Sequence, residues 1–182
     1  MHRITMVFAG LLTALAPAPV WALGELLGGD LSFTGVVMAY PCSIAPDSER
    51  VPVDFGKVST KSLYINGKTV PVPFTIKLED CTPSVFDSVT VTFSGTANGN
   101  LADRLAISAT LPGNAGGVGI GLLEEDDTPV RLNVATRPAA ISDTTLRLNF
   151  QAFVEAEPDA LANGTLTTGP FTATANYTLN YQ

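Results

Sequence analysis

The carboxy-terminal segment of this chain alternates apolar and polar side chains without a break, and this constrains the fold more than any other feature. Since successive side chains of a β-strand point to opposite faces, the spacing predicts a strand with one face in a core. The sequence stops at Gln182, so we expect no following segment to cover the outer edge of this strand. The predicted core-facing set is Phe171, Ala173, Ala175, Tyr177, Leu179 and Tyr181.

Three internal segments repeat this alternation and predict further strands: Phe74–Leu78, Val89–Phe93 and Leu146–Val154. Gly119 and Gly121 alternate with apolar residues, which indicates a strand under close packing. Helix signals are weak and short, at Pro158–Leu161 and Leu101–Arg104. The predicted fold class is therefore all-β, an antiparallel sandwich in one domain.

Three Asn-Gly pairs punctuate these segments. Asn66-Gly67 is typical of a hairpin turn, and Asn98-Gly99 and Asn163-Gly164 indicate turns or loops.

Residues 1–22 are typical of a secretory signal peptide. Arg3 precedes the apolar run Ile4–Leu15, and small residues fit cleavage after Ala22, with cleavage after Ala18 as the alternative. Pro17 and Pro19 interrupt the run, which argues against a transmembrane helix of about 20 apolar residues. We expect an exported protein.

Removal of this leader leaves 160 residues (182 − 22) without the single His and the single Trp, His2 and Trp21. Without histidine the mature chain has no Ser-His-Asp or Cys-His machinery and no His metal ligand. Its net charge becomes about −8, from 9 basic and 17 acidic residues, which argues against nucleic-acid binding. We expect no catalytic residues, no metal and no cofactor.

Cys42 and Cys81 stand 39 residues apart, which excludes a CxxC redox motif. In an exported chain we expect them to form a disulfide, and two free buried thiols are the alternative.

The segment Leu23–Pro41 also alternates, but it begins next to the predicted cleavage point and contains Gly28 and Gly29, which favour mobility. Such a strand either pairs within its own domain or reaches into another molecule. Its apolar and small side comprises Leu27, Gly29, Leu31, Phe33, Gly35 and Val37, opposite Asp30, Ser32 and Thr34.

In order and spacing, several fragments resemble the subunits of chaperone–usher pili, the type 1 and P-pilus fimbrial family of Gram-negative bacteria. The fragments are Phe33-Thr34-Gly35-Val36-Val37 before Pro41-Cys42-Ser43-Ile44, Val53–Val58, Phe74–Cys81, Val89–Gly95, Gly117–Leu123, and an ending with Gly169 and penultimate Tyr181. They span essentially the whole mature chain.

The resemblance implies an immunoglobulin-like sandwich that lacks its last strand and is completed by donor-strand complementation. It implies a signal peptide at 1–22, a donor extension at 23–35 and a pilin domain at 36–182. In the family the donor residues would be Leu27, Gly29, Leu31, Phe33 and Gly35, inserted into a neighbouring subunit. The groove and chaperone-recognition strand would comprise Gly169, Phe171, Ala173, Ala175, Tyr177, Leu179 and Tyr181.

The partners implied are a periplasmic chaperone, an outer-membrane usher, neighbouring subunits in a head-to-tail filament and, through the assembled fibre, a host-cell surface. Gly29 departs from the family, whose members often carry a side chain there that starts strand exchange. Either exchange is slow in this chain or Leu27 takes that role.

Other polar clusters have simpler interpretations. Glu124–Asp127 lacks the ligand spacing of a calcium loop and predicts a solvated turn. Glu155 and Glu157 would share one face of a strand, whereas general acid–base chemistry needs carboxylates that converge across a cleft.

Three functional hypotheses follow. The first is a structural pilus subunit that polymerises by strand exchange and supports adhesion, with an adaptor or chain-terminating subunit as variants. The second is a carbohydrate-binding adhesin, for which 160 residues leave no room for an additional lectin domain. The third is a secreted enzyme, which the absence of mature histidine disfavours.

Overall fold

The computed structural model describes residues 28–37, 42–108 and 113–182. The chain divides into two units, Met1–Val37 and Met38–Gln182. In the first unit, residues 28–37 run without helix or strand. The predicted leader and Leu27 lie outside the described residues.

In the second unit, the described residues form nine strands and two helices. They are β1 (Ser43–Ile44), α1 (Thr60–Asn66), β2 (Val72–Glu79), β3 (Ser88–Gly95), β4 (Leu105–Ala106), β5 (Val118–Glu124), β6 (Pro129–Val130), β7 (Ala139–Ala140), β8 (Leu146–Ala156), α2 (Pro158–Asn163) and β9 (Ala175–Tyr181).

The strands form two sheets that pack face to face. The larger sheet has the order β1-β2-β8-β5-β4, with β6 also paired to β5, and the smaller has the order β7-β3-β9. All the pairs between these strands are antiparallel. The predicted antiparallel sandwich is confirmed.

Aromatic side chains join the two sheets at the centre of the core. The ring of Phe93 on β3 meets the ring of Phe150 on β8 edge to face, with centroids 5.0 Å apart. Phe74 on β2 lies 5.7 Å from Phe150, its cross-strand neighbour. Val89, Val91 and Phe93 of β3 are buried with the spacing of two that a core-facing side requires, as are Leu148, Phe150, Ala152 and Val154 of β8. Thr90 and Phe153 are buried on the opposite sides of these strands.

The predicted strands at Phe74–Leu78, Val89–Phe93 and Leu146–Val154 are confirmed within β2, β3 and β8. The glycines of β5 also have their predicted role. A Cβ on Gly121 would overlap the ring of Phe153 on the adjacent strand β8, so only glycine allows this approach.

Of the two helix predictions one is confirmed and one is wrong, and the hairpin predicted at Asn66-Gly67 is also wrong. Pro158–Leu161 lies within α2. Leu101–Arg104 forms a turn instead of a helix. Asn66-Gly67 ends α1 rather than turning a hairpin: Gly67 has a φ of 72°, and its N–H donates to the carbonyl oxygen of Leu63.

The last strand is shorter than predicted. β9 begins at Ala175, and residues 171–174 lie before it with an isolated bridge between Thr172 and Ser108. The alternation of burial continues through them, since Phe171 and Ala173 are half-buried and Thr172 and Thr174 are exposed. It breaks at Ala175, which was predicted to face the core but is exposed.

A groove along the carboxy-terminal strand

The strand β9 is the edge of the smaller sheet. Ser88 and Gln182 exchange both backbone hydrogen bonds, at 3.2 and 3.0 Å, which sets the phase of the β3–β9 ladder. In an antiparallel ladder hydrogen-bonded and non-hydrogen-bonded pairs alternate. The N–H and C=O groups of Tyr177, Leu179 and Tyr181 therefore point away from β3, towards the open edge.

The side chains of these three residues are half-buried, whereas Asn176, Thr178 and Asn180 are exposed. The hydroxyl of Tyr177 donates to the carbonyl oxygen of Ser48 at 2.6 Å. Burial raises the pKa of Tyr177, and the negative charge of Glu49 raises it further. Burial also raises the pKa of Tyr181, with a smaller contribution from Tyr177. Both phenols are therefore neutral at physiological pH.

An extended segment, residues 51–58, faces the stretch that precedes β9. Val51, Val53 and Phe55 are half-buried and alternate with exposed neighbours. The ring of Phe55 lies 6.1 Å from the ring of Phe171, measured between centroids. Among the described residues, no backbone hydrogen bond joins this segment to another strand. The wall opposite Phe171 thus also presents unpaired backbone.

Two cavities lie between these walls and share Val53, Phe55 and Phe171. The first, of about 430 Å³, is bounded by residues 166–171, residues 53–58 and Leu63 of α1. The second, of about 280 Å³, lies beside Ala173 and Ala175. Its floor consists of core side chains from both sheets: Phe74, Phe93, Leu105, Ile120, Leu122 and Ala152.

A third cavity, of about 610 Å³, follows β9 towards its end. It lies beside Tyr177, Leu179 and Tyr181, and Cys42, Ile44 and Glu49 line it from the other side. We call the surface formed by these three cavities along residues 169–181 the groove. Charged residues line it at the ends, Asp54 and Lys57 at the first cavity and Glu49 at the third, whereas the second has an uncharged lining.

Gly169 marks the beginning of the groove. Its φ is 156°, and a Cβ there would overlap the backbone of residues 113–115. The N–H of Ala115 donates to the carbonyl oxygen of Pro170 at 3.1 Å. Only glycine permits this close approach, which closes the first cavity from behind.

The disulfide between Cys42 and Cys81 is confirmed. Cys42 directly precedes β1, and Cys81 follows the end of β2 by two residues. The disulfide therefore lies beside the pair of Ser43 and Glu79, which joins these two strands. Since Cys42 also lines the third cavity, the disulfide holds the far rim of the groove.

The predicted donor residues all belong to the first unit, and Leu27 lies outside the described residues. Gly29, Leu31, Phe33 and Gly35 lie in exposed chain without helix or strand. Leu31 and Phe33 are 83% and 88% exposed. Contiguous exposed apolar side chains, as distinct from single ones, mark interaction surfaces.

The structure also shows what the other acidic residues do. Glu124–Asp127 includes the predicted turn after β5, and Glu124 and Asp126 are ion-paired with Arg137 at 2.6 and 2.7 Å. Glu155 pairs with Arg104 at 2.6 Å, and Glu157 accepts hydrogen bonds from Asn98 and Asn100. Each carboxylate has its own partner, so the two do not converge on one site.

The wall formed by Val51, Val53 and Phe55 is additional to the predicted site residues. The alternation of apolar and polar residues in this segment is the sequence feature that indicates a strand there. Within the described ranges no three His, Cys, Asp or Glu side chains gather as metal ligands. In the same ranges, no helix has the length and apolar character needed to cross a bilayer.

The sequence matches the family described as fimbrial protein over residues 31–182. The chain belongs to this family. Fimbria A protein of Serratia marcescens is 37% identical over 154 residues, which cover 85% of this chain and 84% of that protein. Fimbrial adapter PapK of Escherichia coli is 30% identical over 165 residues, covering 87% and 91%.

Solved structures agree with this assignment. The crystal structure of the P pilus rod subunit PapA has a TM-score of 0.68 at 24% identity, covering 79% of this fimbrial protein and all of that chain, and supports the fold alone. A subunit in the structure of a chaperone–usher pilus has a TM-score of 0.67 at 25% identity and covers 91% and 100%. The resemblance to pilus subunits and the immunoglobulin-like fold are both confirmed.

Proposed function

We propose that this fimbrial protein is a structural subunit of a chaperone–usher pilus, polymerises by donor-strand exchange and supports cell adhesion. One observation carries the proposal. The edge of β9 presents backbone donors and acceptors beside a line of apolar cavities that reaches the core. An unpaired edge next to an open core is a template for an added strand.

The strand that fits is the extension of another copy, residues 23–35. Its apolar side alternates with the period that the groove requires, and Leu31 and Phe33 are exposed. Burial of Leu27, Leu31 and Phe33 would stabilise the joint by roughly 5–9 kcal/mol, at about 1.5–3 kcal/mol for each large side chain. Transfer of this strand from one subunit to the next is heterologous and yields an open filament.

Before assembly, the groove needs temporary cover. A periplasmic chaperone would supply a strand to β9, and an outer-membrane usher would receive the complex and release the subunit into the fibre. The signal peptide predicted at residues 1–22 supports export to the periplasm, and the fibre would then lie on the cell surface of a Gram-negative bacterium.

The geometry supports an internal position in the fibre, either in the rod or as an adaptor, over a terminating position. A terminating subunit would lack a usable groove. Here the cavities at the beginning of the groove are open, with volumes of about 430 and 280 Å³. The protein therefore carries both a donor segment and an acceptor surface.

Two complementary variants test the proposal. Deletion of Leu23–Thr34 removes the donor and keeps the groove, whereas Ala173→Arg fills the groove and keeps the donor. Neither variant should form fibres alone, and an equimolar mixture should stop at heterodimers, as measured by size-exclusion chromatography with mass determination.

Thr174→Arg is the matched control, because Thr174 is exposed on the opposite side of the same segment. It should polymerise like the unmodified protein. Fibres formed by the deletion variant alone would refute donor-strand exchange.

A further inference from the structure

The side chain of Tyr177 crosses the floor of the groove. Its hydroxyl donates to the carbonyl oxygen of Ser48 at 2.6 Å, and Ser48 precedes the wall at residues 51–58. The lining of the second cavity ends at Ala175 on β9, and that of the third begins at Tyr177. We call the side chain of Tyr177, with its hydrogen bond to Ser48, the crossbar, because it separates these two cavities.

Ser48 holds the crossbar in a fixed position. It is 1% exposed, its hydroxyl accepts the backbone N–H of Lys77 on β2 at 2.9 Å, and its own N–H donates to the carbonyl oxygen of Ala45 at 2.8 Å. Movement of the Tyr177 ring would leave the carbonyl of Ser48 without this partner, and a buried polar group that loses its partner costs its desolvation free energy. The ring is therefore anchored to the larger sheet.

The crossbar restricts which residue of an added strand can lie opposite Tyr177. In an antiparallel pair, side chains directly opposite each other lie on the same face, with Cβ atoms about 4.5–5.5 Å apart. A side chain opposite Tyr177 would point towards the floor of the groove, where the ring already lies. A glycine at that position leaves room for the ring, because it has no Cβ.

The amino-terminal extension carries such a residue at Gly29. A Cβ on Gly29 would meet no described atom within 4 Å, and Gly29 is not among the glycines with a positive φ. Neither packing nor backbone conformation in the subunit that carries it therefore calls for glycine. The crossbar of a neighbouring copy supplies a reason that the free subunit lacks.

The sizes of the facing side chains support this register. All pairs between the strands of both sheets are antiparallel, and antiparallel pairing is slightly more stable per residue, so we take the added strand as antiparallel to β9. With Gly29 opposite Tyr177, the large side chains of the extension lie over cavities: Leu31 opposite Ala175 and Phe33 opposite Ala173, at the second cavity, and Leu27 opposite Leu179, at the third.

Other registers lose this match. A shift by two residues in either direction places Leu27 or Leu31 on the crossbar, which overpacks the groove. A register with Gly35 on the crossbar moves Leu31 and Phe33 past it to the third cavity. The second cavity, whose floor consists of core side chains, would then receive neither of them, and their burial there would be lost.

We propose that the crossbar determines the register and the specificity of the donor strand: it accepts Gly29 of another copy of this chain and excludes strands with a side chain at that position. The proposal rests on strand exchange as the assembly mechanism and names the residues that set its selectivity. A strand with a side chain there must shift by two residues or break the hydrogen bond between Tyr177 and Ser48.

Engineered disulfides in assembled fibres test the register. Gly29 opposite Tyr177 places Asp30 opposite Asn176, which is exposed. This pair is not hydrogen-bonded, so its Cα atoms lie about 4.5 Å apart, within the range that a disulfide spans. Fibres of Asp30→Cys/Asn176→Cys should therefore give a ladder of covalent multimers on a non-reducing gel. Asp30→Cys/Thr174→Cys and Asp30→Cys/Thr178→Cys are the controls for a shift by two residues, and an equal or stronger ladder from either would overturn the proposal.

Peptide binding tests the exclusion of side chains. A synthetic peptide of residues 23–35 should bind the full mature chain, and its Gly29→Leu variant should bind about tenfold more weakly, because the added side chain overpacks the groove. Ser32→Leu is the matched control, since it adds a side chain of similar size on the opposite side of the extension. It should leave the affinity unchanged.

A change in the acceptor separates this exclusion from a general loss of stability. Tyr177→Phe keeps the ring and removes the hydrogen bond to Ser48, so the ring can move aside and the difference in affinity between the native and the Gly29→Leu peptides should shrink. An equal difference on both acceptors, or equal affinities of the two peptides for the unmodified chain, would overturn the proposal. Failure of the native peptide to bind the unmodified chain would instead refute the proposed function.

Discussion

In the smaller sheet, the two sides of β3 are completed differently, by β7 and the loop before it on one side and by β9 on the other. On one side of β3, the loop between β6 and β7 supplies partners from the same chain: the N–H of Asn133 donates to Phe93 at 2.7 Å and that of Thr136 to Val91 at 2.8 Å. On the other side, β9 pairs with β3 and then presents its own outer edge. We call the side of β3 that carries β7 and this loop the closed edge, and the outer side of β9 the open edge. An unpaired strand edge is a template for pairing with another chain.

The closed edge and the open edge also differ in their charged contacts. At the closed edge, Arg137 lies 2.6 Å from Glu124 and 2.7 Å from Asp126, and its backbone N–H donates to Glu124 at 3.1 Å. These contacts fasten the loop to the turn after β5. At the open edge, the polar contact of Tyr177 is a neutral hydrogen bond to Ser48. Among the described residues, those that line the third cavity take part in no ion pair, so a strand added there would displace none.

The largest effect is expected from closing the open edge. A copy of residues 23–35 appended after Gln182 through a short turn can return antiparallel to β9 and fill the groove. The free energy of unfolding should rise by roughly 5–9 kcal/mol, from burial of three large side chains, as measured by urea denaturation. The fused chain should also stay monomeric. An appended segment with the same residues in scrambled order should give neither effect. Equal stabilisation by the native and the scrambled segments would show that the groove does not depend on the order of the apolar side chains.

Loss of the disulfide comes next. Replacement of Cys42 and Cys81 by Ala should lower the free energy of unfolding by about 4 kcal/mol, since the crosslink closes a loop of roughly 40 residues. Guanidinium titration of the oxidised protein and the variant measures this. Because Cys42 lines the third cavity, the variant should also bind the 23–35 peptide more weakly. Unchanged peptide affinity would mean that the disulfide does not hold the groove.

The closed edge can be weakened at a single atom. Thr136→Val removes the hydroxyl that accepts the N–H of Val91 at 3.0 Å. The unpaired donor should lower the free energy of unfolding by about 1–3 kcal/mol. Thr178→Val is the matched control on the exposed side of β9 and should stay within about 0.5 kcal/mol. Thermal unfolding compares them, and equal losses would contradict the distinction between the edges.

Alkaline pH should act on the open edge. The raised pKa of Tyr177 means that the folded protein holds this proton more tightly than the unfolded chain. Its contribution is complete below the unfolded pKa of about 10 and is lost as pH rises through the folded value. Urea titrations between pH 9 and 11 should show a smaller decline for Tyr177→Phe. A decline as steep as that of the unmodified protein would assign the alkaline sensitivity elsewhere.

Acid should act on the closed edge, with the smallest effect. Hydrogen bonding from Thr128 and then from Arg137 lowers the pKa of Asp126 to about 2. A depressed carboxyl pKa stabilises the folded state above its unfolded value, and this stabilisation is lost as pH falls through the folded one. Between pH 4 and 2, Asp126→Asn should therefore lose less stability than the unmodified protein. High salt should reduce the difference between them, because the pair with Arg137 is exposed.

Sequence patterning predicted the long strands because burial on one face imposes a strict period of two, as in β2, β3 and β8. It missed α1 because a seven-residue helix with one buried residue, Leu63, has too few turns to show a period. The ion pairs of Arg137 depend on a loop that returns from β6 to β7, and local sequence carries no such information. The wall at residues 51–58 had the alternation but no cue to its partner.

The position of the groove along β9 has a mechanical consequence. Backbone hydrogen bonds in a sheet run perpendicular to the strands. A pull along a fibre would load a donor strand parallel to β9, so its hydrogen bonds would bear the force in shear, all together. A zipper geometry would instead break them one at a time. Tensile strength would then come from the orientation of a single strand, without any covalent link between subunits.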